Sequence, residues 1–324
     1  MESSSSSAEM PDPRIILGRV AQHVADEDPG ELSLPLANRP HLSRLTIYPL
    51  VIRQYPTATY YGNAGHPYII AANDAGLLLH VSLNPHAGLN LDQPDPEGNL
   101  VVAWDFIPVD GTGRRELSAT TKLIADRDVD LLSQFSGVKS VGLLPLSAPA
   151  GFVVAELQVV EQPDRRVANL LWFRSDEDSW NELGPARLPR RHPGASEKWI
   201  PNDVIAYDKK LWWADLTRGL LNPVDPSPHL SFVNLPADLV ALEDRHEGPE
   251  RIDTRHIVRM SGGELRFVDV VRKHDEPPEA TRVVVWTLES MFDPAKGRAR
   301  WEHHQCRTTL AAIWQDASYS GPAL

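Results

Sequence analysis

At 324 residues the chain is long enough to bury a large core and has room for two domains, although all-β barrels and propellers of this size count as one. Its 44 acidic against 32 basic residues give a formal net charge of −12, which argues against nucleic acid or an anionic membrane as the main partner. The single cysteine, Cys306, excludes an internal disulfide and any CxxC-type zinc site, and fits a reducing compartment.

The first residues, MESSSSSAEMPDP, have neither a basic stretch nor an apolar one, so no secretory signal is read there, and residues 1–12 are expected to be a disordered Ser-rich tail. No later stretch approaches the roughly 20 apolar residues of a membrane span. These features predict a cytoplasmic or nuclear protein. RIILGRVAQHV (14–24) reads either as a short strand and loop or as a weak amphipathic helix. From Leu45 onward short apolar runs rich in β-branched residues alternate with turn residues, as in LTIYPLVI (45–52), LLLHVSL (77–83) and LVVAWDF (100–106), and these read as strands. The 28 prolines and 20 glycines support many turns and short strands.

One phrase then recurs: strand, turn, strand. It occurs as YIIAANDAGLLLHVSL (68–83), VGLLPLSAPAGFVVAELQVV (141–160), VIAYDKKLWWADL (204–216) and HIVRMSGGELRFVDVV (256–271). With Gly76, Gly151, Lys209 and Gly263 as turn markers the intervals are 75, 58 and 54 residues. The longest contains two insert-like stretches, 84–99 and 109–128. After the phrase comes a second element marked by Trp, at Trp172 to Trp180 and again at Trp286 to Trp301. A four-strand unit repeating at this period predicts an all-β fold, a kelch-like β-propeller, with a two-sheet β-sandwich as the alternative. The units map to a single domain over 13–316, followed by a polar tail at 317–324. With four visible blades the propeller is expected to be incomplete at its C-terminus, leaving a sheet edge that the segment around Ile15 to Val20 is the local candidate to close.

The centre of the pattern is WIPNDVIAYDKKLWWADLTRGLL (199–221). Two apolar runs flank Asp208, Lys209 and Lys210, as in a tight hairpin. Trp199, Trp212 and Trp213 fall within fifteen residues, so this hairpin is expected to be a core hub or the wall of a recognition surface, with Trp172 and Trp180 beside it. Adjacent strand residues point to opposite faces, which puts Trp212 in the core with Ala214 and Leu216, and turns Trp213 with Leu211 and Asp215 toward a neighbouring blade or a ligand. At Gly262 and Gly263 at least one positive φ is expected, to match the twist of a tight hairpin.

The strings AELQ (155–158), LLWFRSDEDSW (170–180), the central hairpin with its GLL, LSFVNLP (230–236), VRMSGGELRFVDV (258–270) and VVVWTLE (283–289) resemble the grass-expanded plant family known as domain of unknown function 1618. RPHLSRLTIYPLV (39–51) and YIIAANDAGLLLHVS (68–82) extend the resemblance over nearly the whole chain. Its members are similar in outline to F-box-associated propeller regions, and some are joined to an F-box. Two departures stand out: residues 1–38 do not read as an F-box, and the further apolar stretch usual in members does not follow Ala323. The resemblance implies a scaffold or recognition domain without catalytic residues to carry over, and an unidentified protein partner, components of a ubiquitin ligase among the candidates.

A search for chemistry is mostly negative. G-x-S-x-G, a Walker-type loop and H-E-x-x-H are absent, and VDGTGRRE (109–116) lacks the third glycine of a dinucleotide site. His303, His304 and Cys306 form the one tight metal-capable cluster, but on a strand only His304 and Cys306 share a face, where a structural zinc needs four ligands. The carboxylate pairs Asp126 with Asp128 and Asp176 with Asp178 lie in turn-like segments, where Asp accepts backbone N–H groups. No catalytic, cofactor or metal site is therefore assigned. The function expected is a non-enzymatic interaction scaffold that binds a protein or peptide through propeller loops or a Trp-lined face. A sugar- or small-molecule-binding or hydrolysing propeller, or a truncated family copy with little function, are the alternatives.

Overall fold

The computed structural model describes residues 16–18, 21–23, 32–37, 42–47, 68–73, 75–81, 99–109, 116–125, 138–147, 150–161, 166–187, 199, 201–224, 229–236, 256–272, 276–289 and 301–316. The tails at 1–12 and 317–324, the pair Asp126 and Asp128, and the side chains of His303, His304 and Cys306 lie outside the described residues.

Five short strands come first: β1 (Ile16–Leu17), β2 (Gln22–His23), β3 (Leu32–Pro35), β4 (Leu42–Ser43) and β5 (Thr46–Ile47). Blade 1 follows with β6 (Tyr68–Asn73), β7 (Gly76–Val81), β8 (Asn99–Pro108) and β9 (Glu116–Leu123). Blade 2 comprises β10 (Val141–Ser147), β11 (Ala150–Glu161), β12 (Arg166–Arg174) and β13 (Ser179–Arg187). Blade 3 is built of β14 (Asp203–Tyr207), β15 (Lys210–Asp215), β16 (Gly219–Val224) and β17 (His229–Asn234). Blade 4 contains β18 (His256–Ser261), β19 (Glu264–Val271), β20 (Arg282–Leu288) and β21 (Trp301–Thr309), after which comes the one α-helix among the described residues, α1 (Leu310–Gln315). Each blade is an antiparallel meander. The first strands β6, β10, β14 and β18 lie beside one another in that order. This is an all-β, four-blade, propeller-like arrangement rather than a β-sandwich.

Turn chemistry explains the hairpins. Asp208 and Lys209 have φ of 49° and 58° between the paired Tyr207 and Lys210, a two-residue turn of the kind that matches strand twist. Gly262 and Gly263, at φ 62° and 80° between Ser261 and Glu264, repeat it in blade 4. The recurrent phrase is thus the first hairpin of each blade, and the Trp-marked element is the second.

Two features depart from the expectations. The stretch 109–128 is no insert, because its residues Glu116–Leu123 are β9, whose Leu117, Ala119 and Leu123 pack on the core of blade 1. Among the described residues the N-terminal segment forms no pair with the last blade: Ile16 and Leu17 pair in parallel with Leu42 and Ser43, while β3 pairs with β9 and carries β5 and β2 onto blade 1. Their Leu32, Leu34, Leu45 and Ile47 join Leu77 and Leu79 in a cluster on one face of that blade.

Packing proceeds layer by layer. Leu78 and Val102 of blade 1 meet Val141, Val154 and Phe173 of blade 2. Ala155, Leu157 and Ala168 on the other face of blade 2 meet Leu211, Trp213 and Leu221 of blade 3. Ile205, Trp212 and Leu220 on the second face of blade 3 meet Val258, Phe267 and Trp286 of blade 4. Strand alternation therefore feeds two cores at once, one on each face. At the outer rim blades 2 and 3 touch through one parallel pair, Arg187 with His229.

Candidate functional site

The tryptophans expected to form a hub or a recognition wall are largely interior. Trp213 is fully buried at 0% exposure, and Trp212 and Trp199 are buried as well, while Trp172 and Trp180 are half-buried. Trp213 does face a neighbouring blade: its indole N–H donates to the carbonyl oxygen of Ser140 at 2.7 Å, across the interface with blade 2. Trp212 points the other way and donates to Tyr207 O at 3.2 Å. Trp199 packs edge-on against Phe232, with ring centroids 6.2 Å apart.

The same device ties the other two interfaces. Trp180, on the outer strand of blade 2, donates its indole N–H to Ala125 O at 2.7 Å, just past the end of β9 in blade 1. Trp301 occupies the matching position in blade 4 and donates to Asn234 O at 2.7 Å, at the end of β17 in blade 3. At every junction between successive blades an indole of the later blade reaches back to a carbonyl of the earlier one. A ring this large adds apolar contact while its N–H satisfies a carbonyl that strand pairing leaves over.

Ionisable groups are buried in an equally regular way. On the second strand of each blade, at or one residue past the position opposite the start of the first strand, stand His80, Glu156, Asp215 and Asp269. Glu156 accepts hydrogen bonds from Ser140 Oγ and Gln158 Nε2, both at 3.2 Å. Asp215 accepts from the Thr217 backbone N–H at 3.0 Å and its hydroxyl, and pairs with Arg218 at 3.1 Å, closing its own turn. Asp269 lies 3.4 Å from His256 Nε2, and His256 Nδ1 meets the Leu216 carbonyl of blade 3 at 3.0 Å. Arg259 adds an ion pair to Asp203 across the same junction. These carboxylates are held by donors of their own or an adjacent blade, as buried charges require.

The turn carboxylates are likewise engaged. Asp176 accepts Arg174 Nη2 at 2.8 Å and Nε at 3.1 Å, and this hydrogen bond holds its carboxyl below the usual carboxylate range. Asp178 pairs at 2.8 Å with Lys122 of blade 1. No group of three or more metal-ligating side chains converges among the described residues.

One concave site escaped the sequence reading. In β8 the pairing jumps from Trp104 with Thr120 to Ile107 with Ser118, so Asp105 and Phe106 together oppose one residue, Ala119. Asp105 takes φ 55° in this bulge. Beside it opens a pocket of about 400 Å³ whose walls include Leu17, Leu34, Leu77, Phe106 and Leu117, with Asp105 at its lining. The signal available in the sequence was the loss of alternation at Asp105-Phe106 within an apolar run.

No described helix is long and apolar enough to cross a membrane. Neither a curated protein nor a solved structure matches the chain. Residues 213–324, which begin at the buried Trp213 and include all of blade 4, match the family model described as a protein of unknown function, DUF1618, which supports the domain of unknown function 1618 family for this part of the chain.

Proposed function

We propose that the chain is a non-enzymatic interaction scaffold of the cytoplasm or nucleus, which holds a protein or peptide partner through the rims and loops of its blades. The observation that supports this reading is that the side chains best suited to chemistry are tied into the joints of the fold. The indoles of Trp180, Trp213 and Trp301 clamp successive blades, and Glu156, Asp215 and Asp269 are each held by neighbouring donors. The sugar-directed reading needs an exposed Trp opposite two converging carboxylates, and Trp199, Trp212 and Trp213 are buried.

The test is affinity purification of the tagged full chain, followed by reconstitution of any stoichiometric partner from purified components. A defined complex, with ubiquitin-ligase components as the partner that would indicate substrate-adaptor work, is the expected result. Hydrolysis of a glycoside or ester panel that is lost on Glu156→Gln or Asp269→Asn, in variants that still fold, would replace the scaffold reading with an enzymatic one.

A further inference from the structure

We infer that the pocket beside the β8 bulge receives a partner segment in which a large apolar side chain is followed by a basic one, an inference that rests on the scaffold reading above. The pocket's volume of about 400 Å³ lies within the range of sites that enclose a small ligand or an anchoring side chain. Leu34 and Leu77 form its buried base, and Leu17, Phe106 and Leu117 are half-buried along its sides.

The site is built rather than left over. Gly76, at φ +131°, lets the β6–β7 turn press on β8, where an added Cβ would lie 3.1 Å from Trp104 Cα and run into the Ala103 carbonyl. That close approach abuts the bulge, which presents Phe106 and Asp105 side by side. Asp105 holds φ 55° there, a conformation that Asp tolerates better than most residues. Among the described residues, Asp105 is the one carboxylate in the lining, and it is exposed. Asn73, the other described polar side chain there, is engaged in bracing the turn, donating to Leu143 O at 2.6 Å and accepting from Ala75 N at 2.8 Å.

The exposed carboxylate of Asp105 and the chain's net charge of −12 favour a basic neighbour for the apolar anchor.

The probe is acetyl-Leu-Phe-Arg-amide, titrated against the full chain by ligand-observed NMR beside acetyl-Leu-Phe-Glu-amide and acetyl-Ser-Ser-Arg-amide. The first should bind about tenfold more tightly than either control. Asp105→Asn keeps a residue that tolerates positive φ but removes the charge, and should weaken binding of the Arg peptide about five-fold, the most an exposed pair gives. Leu17→Trp fills the cavity and should abolish binding, with Asp105→Asn carrying the test alone if that variant fails to fold. Equal binding of the three peptides, or no response to Asp105→Asn, overturns the inference. A protein partner of the wild-type chain that both folded variants retain would leave the scaffold reading standing and remove this pocket from it.

Discussion

Blades 3 and 4 share a meander but not an environment. Blade 3 is covered on both faces, so that β15 is buried without interruption from Leu211 to Asp215, and its two adjacent tryptophans enter two different cores. Blade 4 packs Val258, Leu265 and Phe267 onto blade 3, while on its other face Ile257 is 39% exposed and Val268 and Val285 are half-buried. Its strand β19 alternates strictly between buried and half-buried residues. Position in the series of layers, more than composition, decides how much each strand buries.

The largest expected effect follows directly. Trp213→Ala removes a fully buried ring and leaves the Ser140 carbonyl without its donor, and should cost about 3–5 kcal/mol in denaturant unfolding. Val285→Ala, at a half-buried position on the other face of blade 4, should cost less than about 1 kcal/mol. Similar losses at the two positions would break the comparison.

Glycines sharpen it at lower cost. Gly219 sits at φ +154°, where an added Cβ would meet the Val233 carbonyl and lie 2.7 Å from the Phe232 ring, so Gly219→Ala should destabilise by about 2 kcal/mol or more. Gly263, at φ +80°, has nothing within 4 Å of the added atom, and Gly263→Ala should cost only the backbone penalty, about 1 kcal/mol. Thermal melts of the pair compare the two blades at their glycines.

The indole clamps predict smaller changes. Trp180→Phe and Trp301→Phe keep an aromatic ring at the half-buried junctions but delete the N–H, and each should lower stability by about 0.5–1.5 kcal/mol. Equal midpoints for variant and wild type would reduce these bonds to surface decoration.

The smallest effect is a matter of pH. Burial, with Asp208 and Glu264 nearby, pushes the Tyr207 phenol above the usual tyrosine range. The fold therefore favours the neutral phenol. That contribution is complete below the unfolded pKa of about 10 and disappears as pH rises through the higher folded value. Ultraviolet titration of wild type against Tyr207→Phe should show the missing tyrosine among the last to ionise.

How much of this was legible in the sequence depends on local chemistry. The four first hairpins stood out because Asp208-Lys209 and Gly262-Gly263 are turn residues between short apolar runs. The alternation of ELRFVDVV was visible for the same reason. β9 was hidden because ELSATTKL carries few large apolar residues, although it completes blade 1. The N-terminal strands are two to four residues long, too short for any period to register. Alternation separated Trp212 from Trp213 correctly, yet it presumes that a strand has one face to hide, whereas in a stack of blades both faces can be interior. The bulge at Asp105 and Phe106 lay within an apolar run whose register only the pairing with β9 reveals.

Native-state hydrogen exchange on the full chain tests the layered account most directly. Amides of β15, enclosed between two blades, should exchange slowest, with β11 and β12 close behind, and those of β18, the mostly exposed first edge of blade 4, should exchange fastest among the blade strands. Protection in β18 equal to that in β15 would contradict it, since blade 4 would then be enclosed as fully as blade 3.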